Sequence, residues 1–262
     1  MLLIILLLLF QMSYVRTFSK IQHNMRPSMH TSIQYSNIIK DTILNDPKMP
    51  MIYTNKYLKK CIINGIADDA RSAEGSKGSK GSKGAEGAEG ALTCSSISKN
   101  IARGVAKSNY NRQFVSAEHI YPQCLLDGKQ SNDMHNIIKT LNTLNANRSN
   151  YKFHEDYDIK SKNWVELECN NYVNHKDKVF VPNNDSRGFI SRAILYMYKE
   201  YNCNPQKIID IEILKKWYYN FSPTIDERYH NDIIKRLQNK NNIFISNYNK
   251  KNKGIKKILD SL

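Results

Sequence analysis

Glu118 and His119 stand side by side, and their types could do chemistry together. His135 and Asn136 begin sixteen residues after His119, and Asn145 lies nine beyond Asn136. A histidine beside a carboxylate can take a proton next to a metal ligand, because its unperturbed pKa lies near neutral pH. A carboxylate oxygen and an asparagine carbonyl oxygen are hard donors that suit Mg²⁺, an ion that keeps several waters and binds phosphate oxygens. Adjacent strand residues, however, point to opposite faces. Glu118 and His119 can therefore share a site only where the strand bends or ends. On spacing alone, a surface glutamate beside a packed histidine is the commoner outcome.

The elements that must position these residues are partly readable. Phe114 to Tyr121 reads as a short strand, stopped by Pro122. Downstream, Asp185 or Ser186 can cap a helix running to about Tyr201, with the apolar stripe Phe189, Ile190, Ala193, Ile194 and Met197. Asn204-Pro205 opens a second helix carrying Ile208, Ile209, Ile213, Leu214 and Trp217. A third follows Pro223 with Ile233, Ile234 and Leu237. Upstream, Ile38, Ile39, Ile43 and Leu44 are spaced for one helix face. Residues 75–90 read GSKGSKGSKGAEGAEG, which has almost nothing to bury and is expected to be a flexible insertion within 70–92. Residues 247–262 are expected to be a frayed basic tail, able to touch phosphates without reading sequence.

The 262 residues and a 40% apolar content exclude a wholly disordered chain. Lysine plus arginine number 39 against 24 acidic residues, a net of +15, which favours a polyanionic partner. The excess is concentrated where the chain looks foldable: residues 91–262 hold 27 basic and 17 acidic side chains, a net of +10. Five cysteines form no CxxC pair, which argues against a zinc ribbon or a thioredoxin-type site. Met1 to Phe10 is almost pure Leu and Ile, too short to span a bilayer but fitting the apolar region of a signal sequence. Residues 1–20 are accordingly expected to direct secretion or entry into an endomembrane lumen, with an uncleaved anchor at residues 1–10 as the alternative.

The chain resembles the endonuclease I family, bacterial periplasmic and secreted non-specific nucleases with a ββα-metal, or His-Me finger, active site. The likeness is carried by Tyr110 to Pro122 (YNRQFVSAEHIYP), Asp133-Met-His-Asn136 and Asn145 to Phe153 (NANRSNYKF). It continues through the Ser186-Arg-Gly helix, Trp217, Pro223, Asp226-Glu227, Asn231, Gln238-Asn239 and Asn242-Ile-Phe244. Ile38 to Tyr53 resembles the family's first helix and following strand, so the nuclease domain is expected over residues 36–246. The implied fold is α+β, a ββα-metal core within a mostly helical single domain.

The resemblance implies roles. Glu118 and Asn145 match metal ligands, and His119 matches the general base. His135 and Asn136 match a signature read here as organising the site. The implied enzyme is a Mg²⁺-dependent endonuclease, with Mn²⁺ or Ca²⁺ as substitutes. It would cut DNA and RNA to leave 5′ phosphates and act as a monomer with no stable protein partner. A nucleic-acid-binding protein of the same fold with weakened catalysis is the alternative. Two departures motivate it. Ala146 replaces the usual glycine, at a position expected to want positive φ, and the 122–133 loop lacks the arginine that contacts the scissile phosphate in some relatives. Lys129 or Arg148 is the expected phosphate-binding substitute, although Arg148 reads equally well as a buried salt-bridge partner. Cys94 and Cys169 fall near cysteines of some relatives and are the pair expected to bridge.

Overall fold

Val115–His119 form β1, in which Val115 and Glu118 are buried. It pairs antiparallel with β2, Ile137–Leu141, in a register that sets Glu118 opposite Ile138 and His119 opposite Ile137. Helix α1, Asn142–Arg148, follows β2 without a loop and buries Leu144 and Arg148. The computed structural model describes residues 39, 42–44, 46, 48–54, 115–158 and 160–262. Residues 42–262 form one compact unit, and Ile39 is the one described residue of the other, 1–41. The expected leader at 1–20, the insertion at 70–92 and Cys94 lie outside the described residues.

A second sheet has the order β3-β6-β5-β4. Its strands are β3 (Lys152–Phe153), β4 (Trp164–Leu167), β5 (Asn171–Asn174) and β6 (Val179–Val181). Helices make up the rest: α2 (Asn184–Tyr201), α3 (Ile211–Asn220), α4 (Ile225–Gln238), α5 (Ile243–Ser246) and α6 (Lys253–Asp260). Among the described residues the architecture is α+β, two small sheets with a larger helical share.

Helix α2 is the centre of the core. Its expected stripe is buried, but so are Ser191, Arg192, Leu195 and Tyr196, so it is enclosed on most sides rather than along one face. Asn183 caps it by accepting from the Ser186 amide, two or three residues earlier than the sequence suggested. Gly188 is required there, since an added Cβ would lie 2.6 Å from Phe221 Cβ and 2.9 Å from the Phe221 carbonyl oxygen. That close approach lets the buried Arg192 grip Glu227 with two bonds of 2.5 and 2.6 Å, Nε to Oε1 and Nη2 to Oε2.

Two expectations change. Asn204-Pro205 opens only a short 3-10 turn, Pro205–Lys207; Ile208 continues the turn, Ile209 makes a single parallel bridge to Phe153, and Asp210 caps α3 by accepting from Glu212 and Ile213 amides. The basic tail is not frayed throughout. Within it, α6 is capped by Asn252 and buries Ile255 and Leu259 in the main core, because these two residues recur at helical spacing.

Candidate active site

The site grows from two faces laid together. Alternate residues Ser116 and Glu118 share one side of β1, and residues three apart, Asn145 and Arg148, share one side of α1. Their side chains meet. Asn145 Nδ2 donates to Ser116 Oγ at 2.8 Å and to the Ala117 carbonyl at 3.4 Å. A carbonyl can only accept, so the amide nitrogen is fixed toward the strand and Oδ1 is the atom left to accept or ligate. Arg148 Nη1 lies 3.0 Å from Glu118 Oε1. Glu118 is only 2% exposed, and its second neighbour, the Tyr53 hydroxyl, donates to the same Oε1 at 3.2 Å. Burial pushes the Glu118 carboxyl up to about 7, against the opposing pull of Arg148 and Tyr53.

His119 is the last residue of β1, which ends two residues before the expected Tyr121. Its ring turns to the 122–133 loop, where Nε2 lies 2.9 Å from the Ser131 carbonyl oxygen. That acceptor places the proton on Nε2, so in the neutral ring the lone pair is on Nδ1. The same Arg148 Nη1 that pairs with Glu118 also donates to the His119 carbonyl at 2.9 Å, and Nη2 donates to the Ile120 carbonyl. The strand end is thus braced from α1.

Asn136 braces it from the other side. Its Oδ1 accepts from the Tyr121 amide at 2.7 Å, and its Nδ2 donates to the Tyr121 carbonyl at 2.9 Å. The Asn136 carbonyl takes the Ile120 amide at 3.0 Å. His135 is buried, tilted against the Tyr196 ring at 4.3 Å, with Nε2 3.4 Å from the Lys240 carbonyl. Burial brings its pKa down to about 4, so it sits there neutral.

The structure therefore sets Glu118, His119 and Asn136 at one end of β1, Asn145 against the middle of the same strand, and His135 behind Asn136. Arg148 departs from the expectation of a phosphate ligand. It is 1% exposed, its guanidinium stacks 4.5 Å from the Phe153 ring, and its terminal nitrogens are used on Glu118 and backbone carbonyls. The salt-bridge role the sequence left open is the one it has. Lys129 is exposed on the loop whose Ser131 carbonyl holds His119. Ala146 lies inside α1, and the positive φ nearby belongs to Ser149, so alanine is unstrained and favourable there. Sequence reasoning missed Tyr53, Ser116 and Ser131. Tyr53 is remote in the chain, and the other two act through a hydroxyl and a carbonyl that any pattern would pass over.

Among the described residues, no three His, Cys, Asp or Glu side chains cluster to hold a metal ion. The donors that fit one are Glu118, whose two bonds both fall on Oε1, and the Asn145 Oδ1. Two hard oxygens suit a divalent ion that keeps much of its water.

A carboxylate, an imidazole of fixed tautomer and an oriented amide oxygen, mounted on two antiparallel strands and the helix that follows, define a candidate hydrolytic site in an α+β fold. Residues 28–249 match the family model described as Endonuclease I. That is most of the chain, and the chain belongs to the Endonuclease I family. Membership makes it a nuclease, a hydrolase whose substrate is nucleic acid.

Proposed function

We propose that this chain is a metal-assisted, sequence-non-specific endonuclease that cuts DNA and RNA and leaves 5′ phosphates, with His119 as general base. The observation that carries the reading is the 2.9 Å contact of His119 Nε2 with the Ser131 carbonyl oxygen. With Nε2–H donated to that carbonyl, Nδ1 is the nitrogen that would take a proton from an attacking water, and the imidazolium so formed keeps its bond to Ser131. Glu118 and Asn145 would hold the ion, Mg²⁺ by the hardness of the donors, with Mn²⁺ or Ca²⁺ as substitutes. When bound, it stabilises the negative charge that builds on the phosphate oxygens. Asn136 and Arg148 keep the end of β1 in place, so that the His119 ring and the Glu118 carboxylate hold fixed positions. His135 packs behind this brace as a neutral side chain. Lys129 supplies a phosphate contact as a point charge. The lack of sequence readout agrees with a positive charge carried mostly by lysine, which holds backbone rather than base edges. The apolar run Met1–Phe10 supports delivery to a secreted or luminal compartment.

One observation favours the second reading, a binding protein with weakened catalysis: Arg148 already neutralises Glu118 from 3.0 Å, so an ion must compete for that carboxylate. Plasmid nicking separates the two. The chain is assayed with Mg²⁺, with Mn²⁺ and with EDTA, beside His119→Ala. Metal-dependent nicking that falls at least about a hundredfold in His119→Ala is expected. Undiminished nicking by His119→Ala removes the base role, and DNA binding without nicking at any metal concentration leaves the binding protein.

A further inference from the structure

Helix α6 begins after the Endonuclease I match ends at residue 249, so its surface is not accounted for by the family. Its residues divide cleanly around the axis. Ile255 and Leu259 face inward and join the core that contains Trp217 and Tyr218. Lys253, Lys256 and Lys257, at i, i+3 and i+4, fall on the opposite side and are all exposed. Asp260 is the one carboxylate on that stripe. Lys250 and Lys251 are exposed in the turn just before the helix, where Asn249 Oδ1 accepts the Lys251 amide at 2.9 Å. Leading into that turn, Tyr248 is seated by its ring 5.3 Å from that of Tyr218 and by its hydroxyl on the Tyr219 carbonyl. The five lysines stand on an anchored element.

We propose that this lysine stripe is a second anchoring surface for the nucleic-acid substrate, binding the phosphate backbone away from the bond being cut; the inference rests on the nuclease reading above. Three considerations select this occupant. Five positive charges against one negative in residues 250–260 match a polyanion. The helix is about 12 Å long, a span over which duplex DNA presents about seven phosphates. An anionic membrane would also attract lysines, but surface helices that bind bilayers insert an apolar face, and the apolar face of α6 is already spent on its own core. Lysines rather than arginines make contacts that hold the backbone without reading bases.

The test uses the full chain carrying His119→Ala, so that duplex DNA survives the measurement, with and without Lys253→Gln, Lys256→Gln and Lys257→Gln together. Affinity for a duplex of about 25 base pairs is measured across salt concentrations. Each lost phosphate contact should lower the slope of log affinity against log salt by about 0.9, so the triple variant should lose about 2–3 from the slope. The matching Lys→Arg triple should keep it. With His119 intact, the glutamine variant should need more DNA for half-maximal cleavage while keeping its rate at saturation. An unchanged slope in a chain that binds DNA overturns the proposal and leaves the nuclease reading standing. Lost binding to phosphatidylserine vesicles with an unchanged DNA slope assigns the stripe to membranes instead. A parent chain that binds no DNA at all sinks both.

Discussion

Two buried carboxylates, each within two residues of a histidine, are treated oppositely by this fold. Asp133 is saturated. Its Oδ2 accepts from Tyr196 at 2.9 Å, Tyr201 at 2.6 Å and Lys240 at 2.8 Å, and its Oδ1 accepts the His135 amide at 2.9 Å. Burial alone would raise its pKa, but His135, Lys240 and Tyr201 together hold it below the usual carboxylate value. Glu118 has two donors on a single oxygen, and burial prevails, pushing it up to about 7. Each carboxylate has one cation, but among the described residues the fold gives Asp133 four donors and Glu118 two, both on one oxygen. A carboxylate of the first kind is scaffold, fixing the loop before β2 against α2 and Lys240. One of the second kind is where an added cation gains most.

The contrast makes opposite demands on pH, and this is the largest effect expected. His135 and His230 belong to the Asp133 region and are buried neutral, with pKa values brought down by burial from 6.5 to about 4 and about 3. A folded-state pKa below the unfolded value gives stability that is complete above pH 6.5 and drains as pH falls through the folded values. At about 1.4 kcal/mol per unit, the pair should withdraw several kcal/mol between pH 6.5 and 4. Glu118 runs the other way: raised from 4.5 to about 7, its contribution is present below 4.5 and lost as pH rises through 7. Urea unfolding of the metal-free chain across pH should therefore show a steep acid loss set against a shallow opposing slope. His230, whose ring nitrogens have no hydrogen-bond partner among the described residues, offers the check. His230→Leu should flatten the acid limb, and a limb that keeps its steepness would mean that these histidines do not govern it.

Removing each carboxylate comes next in size. Asp133→Ala strips the acceptor from two tyrosine hydroxyls and an ammonium, and should cost about 3–5 kcal/mol of unfolding free energy. Glu118→Gln keeps an oxygen for Tyr53 and Arg148 and discards a charge that burial disfavours. It should move stability by no more than about 1 kcal/mol, while metal-dependent cleavage falls at least about a hundredfold. Similar unfolding losses in both variants would erase the distinction between a finished and an unfinished carboxylate.

How far the sequence anticipated this contrast varies by element. β1 and the apolar stripes of α2 and α4 were readable because apolar spacing acts locally, although the cap of α2 fell on Asn183 rather than Asp185 or Ser186. The four-stranded sheet was not. β5 reads Asn-Tyr-Val-Asn with all four residues buried, and its Asn171 is satisfied by the Tyr53 carbonyl, 118 residues away. β2 hides its pattern in the same way: Lys139 is buried in the strand with its ammonium on the Asp46 carbonyl. Glu118, His119, Asn145 and Asn136 were visible through ordered motifs. The fate of Arg148 was not, since only the assembled packing shows a guanidinium enclosed by Phe153 and the end of β1.

Tyr53 tests the finest grain of the comparison, because it is one of the two donors that Glu118 has among the described residues. Its backbone sits at φ 60, a conformation that costs a non-glycine residue about 1 kcal/mol. The surroundings hold it there: its amide donates to Ser186 Oγ at 2.6 Å and its carbonyl accepts from Asn171 at 2.8 Å. The ring meets Phe180 edge-on at 4.9 Å. Tyr53→Phe keeps all of these and deletes only the bond to Oε1. Stability should change by about 0.5–1.5 kcal/mol. If that bond merely props the scaffold, the Mg²⁺ concentration for half-maximal cleavage will not move. If it aims the Glu118 carboxylate, that concentration should rise a few-fold while the rate at saturating Mg²⁺ is kept, and restoring the tyrosine should restore it. Orientation of the unfinished carboxylate would then be a property the fold maintains at the expense of a strained residue, whereas Asp133, held by four bonds, needs no such device.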